Sequence, residues 1–193
     1  MSGRSLTVDT LFVQAGTYSN SSATQSKPIC VSGSASLNGS KIISTPIVVA
    51  KGANASLTTV NRATTSSKLT GTGKLTVYCA TEKGNGYYAT RTPIQFNLKD
   101  FEGTIVAEAT YTADGHFTFD TSNGSDKWTL NIPASRYVQN SGKTLRIGTM
   151  TGSGTLGGTC TFSSAGNSNI NTWQVGNATN FTFAGGVVDN AKF

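Results

Sequence analysis

Charge is what this chain has least of. Only 12% of its 193 residues are Asp, Glu, Lys or Arg, about half the usual globular share. Fifteen Lys and Arg against nine Asp and Glu leave a net +6. The basic residues are scattered, with no run of three, whereas a nucleic-acid footprint clusters them or interleaves them with aromatics on one face. The reading is therefore no specific nucleic-acid partner, with a mild attraction to acidic surfaces. No apolar stretch approaches the roughly 20 residues of a membrane span. The opening Met-Ser-Gly-Arg-Ser-Leu lacks the basic and apolar regions of a signal peptide, so the expectation is a leaderless protein with no membrane partner. Cysteines are few: Cys30, Cys79 and Cys160, an odd number at wide spacing. They do not form a disulfide framework. Cys79 and Cys160 fall on apolar faces of candidate strands and read as buried thiols, with one disulfide plus a spare thiol, or an inter-subunit bond, as the alternatives.

What replaces charge is Ser, Thr, Asn and Gly, set among 36% hydrophobic residues. The hydrophobic positions are ordered by alternation, which argues against disorder. The pattern is plainest over residues 92–132: Ile94, Phe96 and Leu98; Ile105, Ala107, Ala109 and Tyr111; Phe117 and Phe119; Trp128, Leu130 and Ile132. A period of two puts each set on one face of a strand. Glu102-Gly103, Asp114-Gly115 and Asn123-Gly124 punctuate the runs where tight hairpins need positive φ. The stretch predicts a four-strand antiparallel meander with one oily face.

Similar short runs occur at 8–13, 28–31, 35–37, 41–50, 55–60, 74–80 and 87–91, and again at 144–149, 157–163, 171–175 and 181–188. Residues 133–142 are irregular, with room for one helical turn capped by Ser135. No segment holds a sustained 3.6-residue period and no internal repeat stands out. Roughly a dozen short strands at regular spacing predict an all-β fold, an antiparallel β-sandwich or jelly roll with little or no helix. Residues 1–7 read as an extended arm and 8–193 as one sandwich domain, with a possible subdivision near 92.

Few residues invite chemistry. The lone histidine, His116, stands on the strand face opposite Phe117 and Phe119, with no Cys or His nearby in sequence to complete a metal site. Asp120-Thr-Ser-Asn-Gly-Ser-Asp126 has recurring oxygen ligands, but its glycine comes one place early for a calcium loop and no bidentate Glu closes it, so it reads as a turn. Glu102 and Glu108 are the carboxylates a glycosidase would use, and they must face each other within about 5–10 Å. No Gly-x-Ser-x-Gly occurs, and one histidine would have to serve every serine. The expectation is no enzyme, no metal and no cofactor. Tyr87, Tyr88 and Trp173 could form a sugar-stacking platform if they are exposed. Six Asn-x-Ser/Thr sequons begin at Asn20, Asn38, Asn54, Asn123, Asn177 and Asn180; such a composition yields them by chance.

The arm, the strand rhythm and the terminal run Phe181-Thr-Phe-Ala-Gly-Gly-Val-Val-Asp-Asn-Ala-Lys-Phe193 suit a structural subunit tied down at both ends. In this the chain resembles virion proteins of tailed bacteriophages, which are often leaderless β-sandwiches rich in Thr, Ser and Gly. The likeness rests on composition and strand rhythm, so it transfers no residues. It implies a virion component made in the host cytoplasm, with copies of itself and major capsid or tail proteins as partners. A decoration (cement) protein fits better than a tail tube, whose lumen needs more acid than this chain carries, and a tube fits better than a spike. The assembly contacts expected are Arg4 and Leu6 in the arm and the terminal Phe193. The alternative is a carbohydrate-binding module or receptor-binding adhesin.

Overall fold

The computed structural model describes residues 9–21, 25–40, 42–58, 67–79, 94–109, 116–140, 143–157, 172–176 and 182–188. It is all-β, and every strand pair among the described residues runs parallel. The fold is a β-solenoid. This overturns the antiparallel sandwich and the hairpin meander: the chain does not fold back beside itself but turns a corner, runs on, and returns one coil further along.

The strands are β1 (Leu11–Ser19), β2 (Ile29–Asn38), β3 (Ile47–Val49), β4 (Asn54–Thr58), β5 (Leu69–Gly71), β6 (Lys74–Cys79), β7 (Thr104–Ala109), β8 (His116–Phe119), β9 (Thr129–Ile132), β10 (Tyr137–Asn140), β11 (Thr144–Ile147), β12 (Thr149–Gly152), β13 (Thr155–Gly157), β14 (Thr172–Val175) and β15 (Gly186–Val188). The long face stacks β1, β2, β4, β6, β7, β9 and β12 in that order. At the usual strand spacing this is roughly 30 Å of solenoid. A second face is begun by the first halves of β1 and β2 with β3 and β5. It continues where the Leu98 N–H donates to the Asn123 carbonyl, and then through β11 and β14. β8, β10, β13 and β15 form a third. Before them, a short 3-10 turn over Ile42–Ser44 takes that side of the coil.

The register is one ladder. Ala35, Ala55, Leu75, Ile105, Leu130 and Met150 are successive Cα partners, so the chain returns after 20, 20, 30, 25 and 20 residues. All six are buried. Beside them Leu37, Leu57, Val77 and Ala107 form a second buried column. On the adjoining face Ile29, Ile47 and Leu69 form a third. Alternation was the right guide to burial: Ile94, Phe96, Leu98, Phe117, Phe119, Trp128, Leu130 and Ile132 are all inside. The core is one connected cluster from Val13 to Trp173.

The corners explain the glycines that resemble hairpin signals. At the entry to the long face, backbone passes so close to backbone that a Cβ on Gly103 would collide with the Gly73 carbonyl oxygen. That carbonyl accepts from the Thr104 N–H at 3.1 Å. One coil on, the Gly103 carbonyl accepts from Thr129 at 2.9 Å. These glycines satisfy the corner's polar groups from the neighbouring coil, which a buried backbone requires. The helical turn expected at Ser135 is instead a β-turn: Arg136 N–H donates to the Pro133 carbonyl, and Ser135 sits at φ 63° before β10 begins.

Candidate functional site

Each outward position on the long face repeats coil after coil, as each inward one does. One outer column reads Ser34, Asn54, Lys74, Thr104, Thr129, Thr149, and the next Ser36, Ser56, Thr76, Val106, Asn131, Thr151. All but Lys74 and Val106 carry a hydroxyl or an amide. Cross-coil hydrogen bonds tie parts of the grid together: Ser56 Oγ donates to Ser36 Oγ at 2.9 Å, and Asn131 Nδ2 to Thr151 Oγ1 at 2.8 Å. A third column, Asn38, Thr58, Tyr78, Glu108, brings the Tyr78 ring, 37% exposed, to the same surface. Because outward side chains alternate along a strand, β6 presents Lys74, Thr76 and Tyr78 as a row: cation, hydroxyl, aromatic.

The acidic residues are engaged in ion pairs, Glu108 on this same face beside Tyr78. Glu102 lies 3.1 Å from Lys127 and Glu108 2.7 Å from Arg136. Glu102 stands before the corner at Gly103 and Glu108 near the end of β7, and the four residue steps of strand from Thr104 to Glu108 alone span roughly 13 Å, beyond the separation a glycosidase needs. Asp120 is 2.8 Å from Lys143 and Asp126 2.7 Å from Arg146. The oxygen-rich loop 120–126 therefore points its carboxylates at cations of the next coil. Among the described residues no cluster of three or more His, Cys, Asp or Glu could hold a metal. Lys68 and Asp100, 2.6 Å apart, extend the series. Lys68 holds the Asp100 carboxyl below its ordinary value, and Glu102 raises the Lys127 ammonium above its own.

Trp173 is fully buried, its Nε1–H donating to the Gly157 carbonyl at 3.2 Å. It cannot serve a sugar-stacking platform, because its ring packs edge-on against Phe119 in the core. Tyr87 and Tyr88 lie outside the described residues, as do Arg4, Leu6 and Phe193. His116 opens β8 beside Tyr137, and its side chain also lies outside the described set. Cys30 is free and half-buried; in register it stands between Phe12 and Val48. No helix among the described residues is long and apolar enough to cross a membrane. No protein-family model, curated protein or solved structure matches the chain.

The sequence reading missed the row on β6. The signal was present, since residues 74–80 read as a strand with Leu75 and Val77 inward, which leaves Lys74, Thr76 and Tyr78 outward together. What it could not supply was the neighbouring strand.

Proposed function

We propose that the chain is a non-enzymatic structural subunit, acting through contacts with copies of itself and with other proteins of a larger assembly, in the manner of a virion component. The observation that carries this reading is β1. It is a nine-residue strand, Leu-Phe-Val-Gln-Ala-Gly-Thr-Tyr-Ser, and the end strand of the stack among the described residues. It holds no charge and no proline, the usual devices against edge-to-edge pairing. Its side chains stand largely in solvent, Phe12 at 70% exposure. An end of this kind favours addition of further β-structure. A second copy is the simplest source, whether across a two-fold axis or head to tail.

Among virion roles, the sequence favours decoration over a tail tube for want of acid, on the expectation of a sandwich that the parallel coils replace. A solenoid grows along one axis by about 4.8 Å per coil, which suits a projecting element better. Light scattering across concentration tests the proposal, on the full chain, on a chain lacking residues 1–7, and on Phe12→Ser. A stable trimer or larger species, or growth with concentration, supports it. Loss on deletion locates the contact in the arm, and loss with Phe12→Ser locates it on β1. A monomer at every concentration, with no partner retained from the assembled particle, overturns it.

The adhesin reading keeps one specific support. The long face is polar, open and periodic, and it carries an exposed tyrosine.

A further inference from the structure

We infer that the outer face of β4 and β6 is a binding surface for an extended anionic polysaccharide. Two strands in register supply it: Asn54, Ser56 and Thr58 on one, Lys74, Thr76 and Tyr78 on the other. Adjacent strands lie about 4.8 Å apart and alternate residues about 6.6 Å apart. The six side chains thus form a flat patch on the scale of a short oligosaccharide, open to solvent at Asn54, Lys74 and Tyr78. Hydroxyl and amide groups both donate and accept, which suits a ligand made of hydroxyls. The Tyr78 ring offers an apolar face of the kind that packs against a sugar ring.

The charge points to an anion, since the one carboxylate beside the patch among the described residues, Glu108 next to Tyr78, is paired with Arg136 at 2.7 Å. Lys74 stands at the start of β6 and Lys51 at the corner three residues before Asn54. Neither has an acidic partner among the described residues, while Lys68, Lys127, Arg136, Lys143 and Arg146 each do. The two exposed cations stand at the same edge of the hydroxyl grid, one coil apart, within a chain of net +6. A carboxylate- or sulfate-bearing sugar polymer meets both features.

Other occupants fit less well. A protein interface centres on apolar and aromatic residues, and this patch has hydroxyls at its centre. Nucleic acid calls for clustered cations interleaved with aromatics. An ice surface would have to accommodate the strongly hydrated Lys74 ammonium, which interrupts the outer column between Asn54 and Thr104.

The test is affinity electrophoresis and calorimetry of the full chain with polygalacturonate, heparin and neutral dextran, which separate carboxylate, sulfate and uncharged polymers. Binding to either anionic polymer at least tenfold tighter than to dextran is expected. Lys74→Gln and Tyr78→Thr should each weaken it about tenfold, while Gln174→Ala, on the exposed side of β14, should leave it unchanged. Thermal melts of all three variants report whether the fold is kept. Should either binding variant lose its fold, Ser56→Ala and Thr76→Ala replace it, with a threefold or greater loss expected. Absence of binding overturns the inference. So do equal binding to dextran, binding that 0.5 M salt abolishes but neither substitution affects, and freezing-point hysteresis without polymer retention. The inference stands apart from the assembly proposal, because mass by light scattering reads that one and polymer retention by the monomeric unit reads this one.

Discussion

The two halves of the solenoid share a backbone and differ in almost everything else. From β1 to β6 the interior is aliphatic: Val, Ile, Leu and Ala fill it, and no aromatic side chain among the described residues is fully inside. From Ile94 onward Phe96, Phe101, Phe117, Phe119, Trp128 and Trp173 take over, with Phe119 in contact with Phe117, Trp128 and Trp173 at ring-centroid distances of 5.0, 5.8 and 6.3 Å. The third side changes too, from the 3-10 turn over Ile42–Ser44 to the sheet of β8, β10, β13 and β15. The surfaces diverge in parallel. Bonds between small polar side chains join coils in both halves, Ser56 to Ser36 in the first and Asn131 to Thr151 in the second, but the second is also laced by four ion pairs from coil to coil. The lesson is that the repeat lies in the hydrogen-bond ladder and the corner, not in the side chains. A stack whose coils touch only their neighbours tolerates two kinds of interior, provided each meets a compatible one at the seam.

The sharpest way to break this comparison is to hollow out one half at a time. Trp128→Ala removes one of the two largest buried side chains among the described residues and orphans the Arg146 carbonyl, which accepts from its indole N–H at 3.1 Å. It should cost about 3–5 kcal/mol, read by urea denaturation. Leu57→Ala, in the aliphatic half, should cost about 2–4 kcal/mol because its cavity is smaller. Hydrogen exchange should separate them: Trp128→Ala should open β7, β9 and β12 while β2 and β4 keep their protection, and Leu57→Ala should do the reverse. Equal loosening of both halves in both variants would mean one cooperative block rather than two coupled ones.

The difference between the halves also shows what could be read in advance. Which side chains are inside was legible, because period two works equally for any strand: Ile105 and Ala107, Phe117 and Phe119, Leu130 and Ile132 were assigned inward and are buried. How the strands pair was not, since the same period serves parallel and antiparallel ladders alike. Gly103 and its relatives then tipped the reading toward hairpins. The signal that could have corrected it is a glycine followed by an alternating run: Gly33-Ser-Ala-Ser-Leu37, Gly73-Lys-Leu-Thr-Val77, Gly103-Thr-Ile-Val-Ala107. The unequal returns of 20, 20, 30, 25 and 20 residues hid it from any search for a fixed period. The candidate site was half legible for the same reason. Lys74, Thr76 and Tyr78 share a face by alternation, but Asn54, Ser56 and Thr58 become their neighbours only through parallel register.

A smaller effect tests the ion pairs of the second half. Arg136 and Glu108 are the most enclosed, with side chains 13% and 22% exposed at 2.7 Å. Glu108→Gln leaves the guanidinium part-buried with a neutral partner and should cost about 1.5–3 kcal/mol by urea denaturation. The hydroxyl contact of the first half should matter less: Ser56→Ala, which removes the bond to Ser36, should cost about 0.5–1.5 kcal/mol. A larger loss from Ser56→Ala than from Glu108→Gln would reverse the contrast.

The smallest effect is the dependence on pH, and it too should divide at the seam. Lys68 donates to Asp100 and holds its carboxyl below the ordinary 3.8. A depressed acid contributes stability that is present above its unfolded value and is lost as pH falls through the folded one. The Lys127 ammonium is raised above 10.5, chiefly by the hydrogen bond to Glu102 and its charge. Its contribution is present below 10.5 and is lost as pH rises through the higher folded value. Both pairs are exposed, so each effect is small and screened by salt. The Lys127–Glu102 pair joins the coils of β9 and β7, and the Lys68–Asp100 pair crosses the seam, joining the coil of β5 and β6 to that of β7. Acidification from pH 5 to pH 2, or alkalinisation beyond pH 10, should therefore raise hydrogen exchange in β7 and β9 before β2 and β4. In 0.5 M salt the early rise should diminish. Simultaneous loosening of all four strands at either extreme would show that the charged lacing of the second half carries no separate share of its stability.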